Sequence, residues 1–331
     1  GLLKATTINK TAGTINVDAQ NGGDSITNLA GSGLADLNMS ASTVVNMSIA
    51  SGETTNLEAT IDGTADGEGT LNIFNTDAGA AGVVTSKGII GGSSKLAAIN
   101  IGKTTVAGNV DFTAAATVDG AITLIGGDSG NENSIIDAGA SLTAGSIVLN
   151  TASTGDATLT GTADVTITGV VDKTGAGAGE AIVSITANET TFVNSVGGNT
   201  ALDDIAIATA GTIKAQSDVK ATLTTLTGAA EITFTGSGAQ TYDSVITLAA
   251  DDDGVIKNSN TGGEVTFEKA VGTATLGLTS ITLDDGAKTN FNAAVFAITL
   301  DINTNGETTH FAVGGNEIGD TGANAGALDF A

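Results

Sequence analysis

Apolar and polar residues alternate with period two in short stretches throughout the chain: DVTI at 164–167, EITF at 231–234, EVTF at 264–267 and SITL at 280–283. Successive side chains of an extended strand point to opposite faces, so this alternation predicts strands with one buried face. Thr sits between the aliphatic residues in most of these stretches. Its branched side chain suits the outward face of a half-buried strand, where the methyl packs and the hydroxyl meets water. Turn signals separate the stretches: Asn21-Gly22-Gly23, Asp62-Gly63, Asp66-Gly67, Asp119-Gly120, Asp285-Gly286 and Asn305-Gly306. Such pairs supply the positive φ angles that tight turns require. An all-β chain is predicted.

The strands recur within a degenerate motif. Residues 191–207 read TFVNSVGGNTALDDIAI, 266–283 read TFEKAVGTATLGLTSITL, and 290–300 read NFNAAVFAITL. In each, a Phe (Phe192, Phe267, Phe291) is followed four residues later by Val (Val196, Val271, Val295). Looser echoes occupy 110–124 and 232–248. A short strand, a Gly/Asn corner and another short strand, advancing by roughly 20–25 residues, describe one coil of a β-solenoid of the parallel β-helix kind. Each coil would need a neighbour above and below to bury its apolar face. Stacked β-sandwich modules share the short strands and regular turns and stand as the alternative. The chain is expected to form one elongated repetitive region over 1–331, with a sub-boundary near 174–180 (TGAGAGE), either a flexible joint or a wide turn between coils.

Composition sharpens this picture. There is no Pro, which removes a ladder donor and is shut out of central strands. There is no Cys, so disulfides, thiolate metal sites and cysteine nucleophiles are all absent. Only 3% of residues are aromatic, so the core must be built mainly from Val, Ile, Leu and Ala. Tyr242 and the Phe residues are expected in that core, except Phe296 and Phe330, which suit a subunit contact. The formal net charge of −25 would repel nucleic-acid phosphates and anionic membrane surfaces, and favours divalent cations as counter-ions. No apolar run approaches the ~20 residues of a membrane helix, and aromatic girdles for a membrane barrel are lacking, so no membrane insertion is expected. The chain opens on Gly1 without a signal peptide and is expected to be a mature or excised product.

The fragments TFVNSVGG, VTFEKAVG and TNFNAAV, each leading into a short aliphatic strand, resemble passenger repeats of bacterial autotransporters. They are most similar to the large rickettsial-type surface antigens and their β strand repeat relatives, over residues 190–300. They would also suit a bacterial surface-layer subunit. The resemblance implies a right-handed β-helix displayed outside the cell, free of cysteine, that forms a protein coat or adheres to hosts. The family's translocator barrel and anchor are not seen in this sequence.

Candidate chemistry is sparse. The only histidine is His310, and no Gly-x-Ser-x-Gly elbow or phosphate-cradling loop occurs. No enzyme is expected. The acidic turns are another matter, because hard cations such as calcium take several oxygen ligands from Asp, Asn and backbone carbonyls. The best cluster is Asp251, Asp252 and Asp253 before Gly254, with Asn258 and Asn260 close behind. Asp62, Asp66 and Glu68 form the next, followed by Asp203-Asp204 and Asp284-Asp285. Calcium is therefore the expected cofactor, although no cluster has EF-hand or nonapeptide-repeat spacing. Solvated acidic turns would give the same pattern.

Together these features predict an extracellular structural protein on a bacterial surface that self-assembles into a layer, sheath or filament, its partner being further copies of itself. The alternative is a displayed adhesin that binds host or surface glycans. A polysaccharide-cleaving β-helix enzyme would need the basic and aromatic platforms that this chain scarcely has.

Overall fold

In a computed structural model, the alternating stretches are strands and no helix occurs among the described residues. The structure describes residues 7–10, 12–19, 36–50, 52–77, 82–128, 132–302, 308–311, 317–318 and 327–330. The turns at Asn21-Gly22-Gly23 and Asn305-Gly306, and the side chains of His310 and Phe330, lie outside what is described. The strands stack in parallel as a β-solenoid of about 10 turns in all, divided between two compact units. Sandwich modules would pair their strands antiparallel. Here the strand pairs are parallel, so the solenoid is the fold.

The first unit comprises Gly1–Thr160 with Val171–Ile182. One of its sheets runs in the order Gly13–Ala19, Thr43–Ile49, Thr70–Asn75, Ala98–Ile101, Ala121–Ile125 and Leu142–Asn150. A second runs Thr54–Leu57, Val83–Ser86, Asn109–Phe112 and Ser134–Ala138. Burial follows the alternation, as in Thr43–Ile49, where every second side chain is buried. In-register pairing then stacks like on like: Val45, Leu71, Ile99, Ile122 and Ile147 form one buried column. On the outward phase of the same strands Asn46, Asn72 and Asn100 form an amide ladder, with N–H···O distances of 2.7 and 2.9 Å across steps of 26 and 28 residues.

The second unit comprises Gly161–Val170 with Val183–Ala331. One sheet runs Asn188–Phe192, Gly211–Ala215, Glu231–Phe234, Val255–Asn258, Leu278–Leu283 and Phe296–Ile302. Ile213, Ile232, Ile256, Ile281 and Leu300 stack as its buried column. The other runs Leu202–Ile207, Val219–Leu226, Gln240–Leu248, Glu264–Phe267, Lys288–Phe291 and Thr308–Phe311. Tyr242, Phe267 and Phe291 are in register there. Phe267 and Phe291 are stacked at 4.9 Å between centroids, and Phe234 meets Tyr242 and Phe267 edge-on at 5.8 and 5.4 Å.

The Phe-x-x-x-Val echo marks corners of the coil. Phe267 pairs with Phe291, and Val271 bridges Val295, so the three residues between them turn the chain from one side to the next. Phe192 with Val196, stacked on Ala215 with Val219, is a different corner, because Val219 is in register with Tyr242. Tyr242 with Ile246 is the Phe267–Val271 corner again, without Phe or Val. The first unit repeats it as Ser86 with Ile90 and Phe112 with Ala116. Gly197, directly after corner residue Val196, has φ 67°, and a Cβ there would lie 2.1 Å from the carbonyl oxygen of Lys220. The Gly/Ala run at 174–180 is an ordered turn of the first unit, tied to the preceding turn by Gly177 N–H to Thr151 O (2.7 Å) and Ala157 N–H to Glu180 O (2.9 Å). Gly177 is required by that approach, since a Cβ would fall 2.1 Å from the Ser153 carbonyl oxygen.

The expected core is corrected at Phe74. It takes the outward phase between buried Ile73 and Asn75, and the Lys103 ammonium caps its ring at 3.1 Å from the centroid. Phe296 is half-buried, and the other Phe residues with described side chains are fully buried, as is Tyr242.

Phe267 touches three aromatic rings and is 1% exposed. Phe267→Ala is expected to destabilise the second unit by about 3–5 kcal/mol, read by denaturant unfolding, since removing a buried ring leaves a cavity as well as lost burial.

Candidate functional site

The acidic corners are built by the same stacking. A corner leaves backbone N–H groups that the strand ladders do not reach, and a short Asp or Asn side chain one coil earlier can accept from them. Asp218 Oδ1 accepts from Thr241 N–H at 2.7 Å, 23 residues on. Asp164 does so for Glu189 (3.0 Å), Asp156 for Glu180 (2.9 Å) and Asn109 for Ile135 (3.0 Å).

Of the residues nominated from sequence, Asp62, Asp66 and Asp251 take part in this clasp. Asp62 Oδ1 accepts from Ser93 N–H at 3.0 Å, and Asp66 Oδ1 from Lys95 N–H at 2.9 Å. Glu68 accepts the Thr64 hydroxyl. Asp251 Oδ1 accepts from Gly277 N–H (2.9 Å), while Asp253 Oδ2 closes its own turn on Ala250 N–H (2.8 Å). Asp252 sits at φ 65°, its N–H donating to Gly277 O at 3.1 Å. Asp284 accepts the Ser259 hydroxyl at 2.6 Å and pairs with Lys257 at 3.4 Å.

Asn258 and Asn260 are fully buried, and backbone groups occupy their oxygens. Asn258 Oδ1 accepts from Asn260 N–H (2.9 Å), and Asn260 Oδ1 from Gly262 and Gly263 N–H (3.0 and 3.1 Å). Their amide groups donate to Lys288 O and Gly238 O (3.0 and 2.7 Å). Among the described residues no group of three or more His, Asp or Glu side chains lies close enough together to hold a metal ion.

Three polar arrangements were not visible in the sequence. In the second unit, Thr224 Oγ1 lies 2.8 Å from the Tyr242 hydroxyl and 2.9 Å from Ser244 Oγ, a wholly buried hydroxyl cluster. Burial holds the Tyr242 phenol well above its ordinary pKa. In the first unit, Asp111 and Asp137 are direct register partners on neighbouring strands. Burial raises the pKa of both, and the Asp111 charge raises Asp137 further, against a lowering by its hydrogen bond with Thr160. Finding this pair required the coil length, which sets Asn109 and Ile135 26 residues apart.

The third is an open cavity of about 400 Å³ in the first unit, lined by Asp36, Asn38, Asp62, Thr64, Ser93 and Ser94. The strands Asp36–Met39 and Thr60–Gly63 position it, with Asn38 directly opposite Asp62. Asp36 accepts the Thr60 hydroxyl.

These features define a β-solenoid whose polar corners clasp successive coils. Compared with protein-family models, curated proteins and solved structures, the chain shows no match. No helix among the described residues is long and apolar enough to cross a membrane.

Two outcomes follow from this geometry. Asp218→Ala is expected to cost about 1–2 kcal/mol in denaturant unfolding by stranding the Thr241 N–H, with Asp218→Asn restoring most of it because its amide oxygen still accepts. For the Asp111–Asp137 stack, a folded-state pKa above the unfolded one means that folding takes up protons. The resulting stabilisation is fully present below the unfolded carboxyl value and is lost as pH rises through the folded values. Asp137→Asn should therefore raise the unfolding midpoint at neutral pH and leave it near wild type once both carboxyls are protonated, as thermal melts across pH would read.

Proposed function

We propose that this chain is an extracellular structural protein of a bacterial surface, assembling with copies of itself into a layer, sheath or filament. The observation that carries the reading is the use made of the polar corners. Asp62, Asp66, Asp156, Asp164, Asp218 and Asp251 each hold a backbone N–H of a later turn, 23 to 31 residues on. Side chains that could have served a reaction instead hold the stack together. A long stack of small-residue coils provides length and surface, which are what a scaffold supplies. At a net charge of −25, copies would repel one another, so assembly needs a counter-ion, and calcium is the one that oxygen-rich corners suit.

Negative-stain electron microscopy with millimolar calcium, then with a chelator, tests this. A lattice, sheath or filament that disperses in the chelator is the expected result. Separate particles under both conditions would overturn assembly and favour the displayed adhesin.

A further inference from the structure

We infer that the outward face of one sheet in the first unit docks a second copy of this chain, the same face of both copies packing together, and this rests on the assembly reading. The face is formed by the strands Thr43–Ile49, Thr70–Asn75, Ala98–Ile101, Ala121–Ile125 and Leu142–Asn150. None of these strands contains a charged residue.

That neutrality sets the face apart. The other sheet of the same unit carries Asp111 and Asp137. In the second unit, one sheet carries Glu189, Lys214, Glu231, Lys257 and Asp301 on separate strands. Every strand of its partner sheet from Leu202–Ile207 to Lys288–Phe291 is charged as well. At a net charge of −25, two copies repel on most approaches. On the neutral face the repulsion is least, and no ionised group loses its water when the contact closes. Depletion of charge is also what marks the centre of protein interfaces.

The side chains on offer suit a sheet-to-sheet contact. Val44, Thr70 and Ala98 line up in one outward column, which Ala121 and Ser146 continue. The next column is the amide ladder of Asn46, Asn72 and Asn100. All of these side chains are half-buried, touching their neighbours in the row while keeping surface for a partner. Asn has two amide N–H donors, and the bonds from Asn72 and Asn100 along the ladder use one each. Rows of small side chains and stacked amides are what paired sheets interdigitate at a separation of about 10 Å. At the rim, Lys103 over Phe74 sets a positive charge where it meets the field of an acidic partner. Strands spaced by about 4.8 Å, with rows of about 5–7 residues, give about 400–550 Å² per copy. A pair would bury about 800–1,100 Å², below the ~1,200–2,000 Å² of a stable complex. An isolated pair is therefore weak, and repetition within an assembly supplies the rest.

Sedimentation velocity of the full-length chain without calcium, from about 10 µM to about 1 mM, reads weak pairing apart from any polymer. Ala98→Glu and Ala121→Glu each place a charge on the face, twice over in a symmetric pair, and leave the amide ladder alone. Val83→Glu, on the outward phase of the other sheet of the same unit, is the control. Wild type and control are expected to pair alike, and more strongly in about 1 M salt, where charges are screened beyond about 3 Å. Both face variants are expected to pair at least about 10-fold more weakly. Circular dichroism verifies folding, and should one face variant fail to fold, the other decides. Unchanged pairing in a folded face variant would overturn the docking face. So would a wild type that stays monomeric at about 1 mM in about 1 M salt, which leaves the face to a partner other than this chain. Electron microscopy in calcium separates this from the assembly reading. Polymers of Ala98→Glu identical to those of wild type would overturn the docking face alone. Pairing that the face variants lose, with no polymer from wild type, would support the face and overturn assembly.

Discussion

Everything in this protein depends on the backbone hydrogen bond from one coil to the next. Parallel strands cannot be joined by tight hairpins, so the chain must travel around a full coil before it meets itself again. Once it does, the ladder fixes register, and register decides every other contact. A slip of one residue would turn the buried column of Ile213, Ile232, Ile256, Ile281 and Leu300 outward all at once. The cooperative unit is therefore the stack, and a single coil has no face it can bury alone.

Register also places like beside like, which is favourable for some side chains and not for others. Amides gain from it, since an amide both donates and accepts, and Asn46, Asn72 and Asn100 bond in sequence at 2.7 and 2.9 Å. Aromatic rings gain too, as Phe267 and Phe291 do at 4.9 Å. Carboxylates lose, because two like charges in neighbouring positions repel. The second unit places Lys214 within 3.0 Å of Glu189, and Lys269 within 3.4 Å of Asp243, opposing unlike charges across adjacent coils. Asp111 and Asp137 are stacked directly; burial raises the pKa of both, and the Asp111 charge raises that of Asp137 further.

How much of this was legible in the sequence follows from which contacts are local. The strands at 231–234 and 264–267 could be read because alternation needs only neighbouring residues, and the structure buries Ile232, Phe234, Val265 and Phe267 accordingly. The Phe-x-x-x-Val echo was likewise visible because a corner spans four residues. What could not be read depends on the length of each coil, and the clasps show steps from 23 to 31 residues. Without that length, nothing in the sequence sets Asp137 beside Asp111 or Asp62 opposite Asn38. Phe74 was misplaced for a related reason. Leu71, Asn72, Ile73, Phe74 and Asn75 offer apolar residues on both phases, and only pairing with Thr43–Ile49 settles which phase is inward.

The acidic residues illustrate how one chemistry takes different roles according to what the next coil presents. A carboxylate oxygen wants a donor or a cation. Where the following corner offers an N–H at the right height, as Thr241 does for Asp218, the side chain becomes part of the fold. Where it offers a hydroxyl and a lysine, as Ser259 and Lys257 do for Asp284, the charge is balanced within the chain. Asp62 follows the first course, its Oδ1 accepting from Ser93 N–H at 3.0 Å, and Asp36 accepts the Thr60 hydroxyl. With 36 acidic residues against 11 basic ones, the chain cannot balance every carboxylate from within. The surplus is left to the solvent and its counter-ions, so which carboxylates join the fold is decided by what the next coil presents to each.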